Sequence, residues 1–164
     1  ALCDVEGFDR IFLLTDAAVT TYPDAGQKRL LVENALRCAA ALGMSRPRVA
    51  MVAPVEKVSE KIPSTIDAVA VVEGYAGDER LEIDGPFGLD VAISAEAARI
   101  KGIDGPVAGI ANILVMPNID GQKLLKIVGS VPEWASIRTI VVSGVAIEAP
   151  EMRARKVAPS LSSR

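Results

Sequence analysis

Histidine is absent from the chain. Within these residues that excludes a Ser-His-Asp triad, a Cys-His pair and a histidine-ligated zinc site. Cysteine is confined to Cys3 and Cys38. Two thiols without metal-ligand spacing suggest neither a zinc site nor a disulfide framework, so no metal is expected, and a cytoplasmic, reducing location is. Aromatic residues make up 4% of the chain, too few for the stacking platforms that hold single-stranded nucleic acid. The net charge of −3 argues against a non-specific nucleic-acid binder and against a basic membrane-surface protein. No apolar run approaches the length of a membrane span. The opening ALCDVEGFDR shows neither the basic nor the long apolar region of a signal peptide. GxGxxG and GxxxxGK[ST] are also missing, which removes the usual dinucleotide fingerprint and the P-loop. Neither a nucleic-acid nor a membrane partner is expected.

What is present is an alternation of apolar runs and helical patterns over 164 residues, a length suited to one cored domain. RIFLLTD (Arg10–Asp16), RVAMVAP (Arg48–Pro54), RLEID (Arg80–Asp84), ANILVMPN (Ala111–Asn118) and IRTIVVSGV (Ile137–Val145) read as strands. Between the first two, Asp24 and Gln27 form a capping-box start. Leu31, Ala35, Cys38 and Leu42 then mark one helical face, and Gly43 a stop. PSTIDAVAVVEGYAG suits a helix capped by Ser64 with Asp67, although its valines also suit a strand. Leu89, Ile93, Ala97 and Ile100 predict another amphipathic helix, closed by Gly102, and DGQKLLKIVGS a short one. Near-continuous apolar strands alternating with helices predict a three-layer α/β/α fold around a mostly parallel sheet.

In such a sheet ligands bind outside the carboxyl ends of the strands. The strand ends here carry Thr15 and Asp16, then Ala53–Glu56, then the DGP tripeptide Asp84–Pro86, then Pro117 and Asn118. Gly85 permits close backbone approach, Pro86 stiffens the loop, and Asp and Asn offer directional hydrogen bonds. The same residue types are ordinary turn formers, so a ligand site and plain turns both fit. A second DGP, Asp104–Pro106, follows a helix and reads as a connecting turn.

FDRIFLLTDAAV, ALRCAAALGMSRPRVAMVAPVEKV, IPSTIDA, IDGPFGLDVAIS, AARIKGIDGPVAG and ANILVMPNID occur in that order. Together they resemble the C-terminal half of the phosphate acetyltransferase/phosphate butyryltransferase family, over most of Phe8–Leu125. The resemblance implies a fold like that of isocitrate and isopropylmalate dehydrogenases. Residues 1–164 would form one domain equivalent to the family's C-terminal half, without its N-terminal half. It also implies transfer of an acetyl or butyryl group between coenzyme A and phosphate. Coenzyme A and acyl phosphate would be substrates, with no further cofactor. By resemblance Asp16, Ser64, Thr65, Asp84, Gly85, Pro86, Asp90, Gly109, Pro117 and Asn118 line or shape the substrate cleft, with Ser64 and Thr65 donating to phosphate at a helix start. Each has a plainer reading as a turn, cap or tight-loop residue.

The departures are specific. The family carries a Ser-Arg dipeptide followed shortly by Asp near its C-terminus, the Arg for anionic substrate and the Asp as proposed base. Here that stretch reads VVSGVAIEAPEMRARKVAPSL. The pattern is not in it, and the catalytic residues are left unassigned. Arg153, Arg155, Glu148 and Glu151 are the nearest residues of suitable chemistry. Asp16, Glu56, Asp84 and Asp120 make the predicted rim acidic, with Lys57, Lys61 and Lys123 as its cations. Such a rim attracts anionic substrates poorly on its own. The site as read is incomplete, and either the chain is a fragment of a full enzyme, or a homo-oligomer or a partner supplying the missing lobe is expected. A catalytically degenerate binding module on the same fold is the alternative to an acyltransferase.

Overall fold

The computed structural model describes residues 2–4, 10–16, 19–118 and 138–140. Its strands are β1 (Leu2–Asp4), β2 (Phe12–Thr15), β3 (Arg48–Val52), β4 (Glu82–Phe87), β5 (Ile113–Val115) and β6 (Arg138–Ile140). Its helices are α1 (Ala25–Ala41), α2 (Pro63–Glu73), α3 (Leu89–Ile93) and α4 (Ala95–Lys101). The sheet order is β4-β3-β5-β2-β1-β6. The β2–β5, β3–β5 and β3–β4 pairs are parallel, and β1 runs antiparallel to β2 and β6.

Alternate residues of each strand face opposite layers. Leu13, Val49, Met51, Ile113 and Val115 pack with Val32, Ala35 and Ala39 of α1 and with Ala68 and Val71 of α2. Phe12, Leu14, Ala50, Val52, Leu114 and Met116 pack with Val91, Ala92 and Ile93 of α3, Ala98 of α4 and Val107. Both faces of the central strands are thus buried, which is why their sequences run apolar without alternation. Layers on both faces of a mostly parallel sheet give the predicted α/β/α fold.

Several elements differ from the sequence expectation. β1 was not foreseen. α1 keeps its Asp24–Gln27 capping box, but its buried face is Lys28, Val32, Ala35 and Ala39. The expected face is turned by about one position, leaving Leu42 exposed. α2 begins at Pro63, after Ile62, with no side-chain cap. Ser64 therefore lies inside the first turn, and Asp67 bonds Lys28 instead. The single helix expected over 89–100 is two, because Ser94 is extended and caps α4 by accepting from the Ala97 N–H; Ile100 is exposed. Gly43 and Gly102 end their helices with φ of 76° and 65°, the left-handed conformation glycine adopts without cost. The helix expected at DGQKLLKIVGS lies outside the described residues, as does all of Ile137–Val145 except β6.

Asp84–Pro86 is the largest correction. The tripeptide is not a loop after a strand. It lies within β4, with Asp84 opposite Ala50 and a register irregularity between Ala50 and Val52. β4 is at the sheet edge, where a proline is tolerated because no ladder bond is lost. A Cβ on Gly85 would fall 2.6 Å from the Met51 carbonyl oxygen at a φ of +144°, so the position takes only glycine.

Candidate functional site

The parallel strands place their carboxyl ends on one edge. Thr15 and Val115 are paired, and the Met116 N–H donates to the Thr15 carbonyl at 2.6 Å. That bond brings Asp16 beside Pro117 and Asn118 at the sheet centre. The Asp16 carboxylate accepts from the Val19 N–H at 3.1 Å and the Thr20 N–H at 2.7 Å, shaping the turn that leads into α1. Both α1 and α2 follow strands at this edge, so both helices present their N-terminal ends there, where partial positive charge and backbone N–H groups favour anions.

α2 brings Ser64 and Thr65. Thr65 is fully buried. Its Oγ1 accepts from the Ser59 N–H at 2.9 Å, and its one proton faces the carbonyls of Ile62 at 2.7 Å and Ser59 at 3.2 Å. The Thr65 hydroxyl is therefore committed to the 59–62 turn and shapes the site without donating into it. Ser64 is half-buried in the first turn of α2.

Next along the edge, Gly88 leads into α3. A Cβ on this glycine would fall 2.7 Å from Asp90 Oδ1 and from Glu56 Oε1. Lys101, the last residue of α4, donates to Glu56 Oε1 at 2.7 Å and lies 3.0 Å from Asp90 Oδ2. The Lys101 hydrogen bond holds the Glu56 carboxyl below its ordinary range. Partial burial pushes Asp90 up, but the Lys101 ammonium and the Val91 and Asp90 N–H groups together bring it down. The acidic rim is thus partly neutralised by a cation 45 residues from Glu56 in sequence, a separation at which no local pattern signals the pairing.

Four predicted residues lie away from this edge. Asp84, in mid-strand opposite Ala50, faces the α3–α4 layer. Its Oδ1 accepts from the Gly85 N–H at 2.8 Å, and its Oδ2 lies 2.7 Å from where a Cβ of Gly105 would be. The two DGP tripeptides therefore meet, and desolvation raises the Asp84 pKa. Gly109 is at the opposite, amino edge: two residues on, Ala111 leads into β5, and the Gly109 carbonyl accepts from Arg10, just before β2, at 2.9 Å. Gly85 and Pro86 stay with Asp84 inside β4. Asp120, Lys123, Glu148, Glu151, Arg153 and Arg155 lie outside the described residues.

The sheet, its two helical layers and the polar carboxyl edge define an α/β/α protein. Residues 1–142 match the family model described as phosphate acetyl/butaryl transferase, and the chain belongs to that family. It is 46% identical over 127 residues to the phosphate butyryltransferase of Clostridium beijerinckii, covering 76% of this chain and 42% of that protein. It is 45% identical over 127 residues to a phosphate acetyltransferase of Rhizobium meliloti, covering 74% and 39%. Among solved structures it is similar to a branched-chain phosphotransacylase from Enterococcus faecalis V583, with a TM-score of 0.74 and 32% identity over 80% of this chain and 48% of that one. The chain thus spans less than half the length of these relatives.

Proposed function

We propose that the chain acts in the reversible transfer of a short acyl group, acetyl or butyryl, between coenzyme A and phosphate. The observation that carries this reading is the family match running through residues 1–142. In this reaction a thiolate attacks the carbonyl carbon of an acyl phosphate, the C–S bond forms, the C–O bond to phosphate breaks, and phosphate leaves. A base must take the thiol proton, and cations or N–H donors must hold the phosphate and the developing oxyanion. The α2 start offers the Ser64 N–H and hydroxyl to the anionic groups; at the α1 start the Asp24 carboxylate already accepts from the Gln27 N–H. Asp16, Pro117 and Asn118 shape the floor between them. Coenzyme A is a substrate, no further cofactor is needed, and the cytoplasm is where both substrates are available.

A second reading, a binding module of the same fold without catalysis, is favoured by one observation. The stretch from Val141 to Leu161 contains no Ser-Arg-then-Asp pattern. The test separates the two. The 164 residues are assayed for thiol release and consumption at saturating acyl phosphate and coenzyme A. A positioned base contributes about 10²–10⁴-fold in rate, so slow but substrate-dependent turnover, well below the usual enzyme median of about 10 s⁻¹, is expected. Turnover above that value means that Glu148, Glu151, Arg153 or Arg155 replaces the family's segment. No turnover above the solution rate, with coenzyme A still bound, selects the binding module.

A further inference from the structure

Lys28 is a charged group in a place where charge is costly. It is the fourth residue of α1, its side chain is 3% exposed, and its Nζ lies 2.8 Å from Asp67 Oδ2 on α2. Removing an ammonium from water costs several kcal/mol, and an apolar side chain of similar volume fills such a place as well or better. The Asp67 side chain is 28% exposed, so the lysine is the buried member, and a pair that buries an ammonium is a poor means of stabilising a helix seam. Its best-attested use is to fix register.

The pair stands where register would matter. Lys28 and Asp67 both lie near the starts of their helices, at the carboxyl edge. The other polar contacts of the α1–α2 seam are further along α2 or beyond it. Arg29 Nη2 donates to the Ala70 carbonyl at 3.1 Å, and the Tyr75 hydroxyl donates to Glu33 Oε1 at 3.0 Å. Of these cross-seam contacts, Lys28–Asp67 is the one nearest the ligand edge. One turn before Asp67 come Ser64 and Thr65; just before α1 comes the turn that Asp16 organises.

We propose that Lys28 is a positioning residue: by holding Asp67 it sets the first turn of α2 against the start of α1, and so fixes where Ser64 stands at the carboxyl edge. Its importance for substrate rests on the acyltransferase reading, and two readouts let the two ideas fail separately. The first is amide hydrogen exchange on the ligand-free chain of 164 residues. Lys28→Met is expected to speed exchange of residues 64–67 by about tenfold or more while β3 and β5 keep their protection, the mark of local opening. Lys28→Arg, which can still reach Asp67, should restore it. The double variant Lys28→Met/Asp67→Leu removes both charges and leaves neither unpaired, and it decides the matter should Lys28→Met fail to fold. Unchanged exchange at 64–67 overturns the proposal. So does a uniform acceleration through β3 and β5, because Lys28 is then only a general stabiliser.

The second readout is titration with coenzyme A. Lys28→Met should weaken binding about tenfold at an unchanged thermal midpoint, since small misplacements of a binding group have large effects, and Lys28→Arg should recover it. Wild-type affinity in a variant whose 64–67 segment has opened overturns the positioning role. A wild-type chain that binds no coenzyme A sinks the acyltransferase reading instead, and exchange alone then decides whether Lys28 places the α2 start.

Discussion

Asp84 is a carboxylate held where its charge is disfavoured. Desolvation raises its pKa above the ordinary 3.8, and the Gly85 N–H only partly offsets this. The folded chain therefore binds this proton more tightly than the unfolded chain. Its contribution favours folding at low pH and is lost as pH rises through the folded value. Asp84→Asn keeps an oxygen acceptor for the Gly85 N–H and removes the charge. The variant is expected to gain stability relative to wild type at pH 7 and to lose that advantage near pH 3. Urea midpoints at the two pH values measure it, and an advantage confined to pH 3 contradicts the assignment. From the sequence, Asp84 read as a ligand-facing loop residue. The apolar run does stop there, but an edge strand can carry Asp-Gly-Pro onward because the Asp84 side chain satisfies the next N–H and Pro86 has none to satisfy.

At the scale of elements, the path from α4 to β5 depends on a close approach. Gly109 has a φ of +76°, and a Cβ there would lie 2.4 Å from Ala95 Cα. Arg10 fastens the same region by donating to the carbonyls of Ile93, Gly109 and Ala111. Gly109→Ala combines a disfavoured backbone conformation with a backbone clash and is expected to cost roughly 3 kcal/mol or more. Chemical denaturation measures it; a loss under about 1 kcal/mol would mean that the 107–111 path shifts freely. Because Gly109 is at the amino edge, any effect on ligand affinity should follow the stability loss.

The elements legible in the sequence were those whose signal is local. β2, β3 and β5 are continuous apolar runs, and the Asp24 cap and Gly43 stop bracket α1. Those missed depend on distant partners. β1 is only Leu-Cys-Asp and owes its place to pairing with β2 and β6. The buried face of α1 includes a lysine because Asp67, 39 residues away, receives it. Lys101 likewise finds Glu56 only through the fold. The positions of Asp16, Pro117 and Asn118 at the carboxyl edge were legible because each follows an apolar strand. The roles of Thr65 and Gly109 were not, because a hydroxyl's partners and a glycine's neighbours are set by packing.

For the molecule as a whole, two layers of helices on a mostly parallel sheet leave one edge where strand ends, helix starts and polar turns occur together. Among the described residues, no helix is long and apolar enough to cross a membrane. On the proposed function this edge, at the start of α2, receives the anionic part of coenzyme A. The most direct test is calorimetric titration of coenzyme A into wild type and Ser64→Asp. An aspartate in the first turn is favourable to a helix, so the variant should keep or raise its thermal midpoint while repelling an anion. Saturable binding by wild type, weakened about tenfold or more in Ser64→Asp, is the predicted result, a difference of about 1.4 kcal/mol. Equal affinities in the two proteins, or no binding in either, would contradict it.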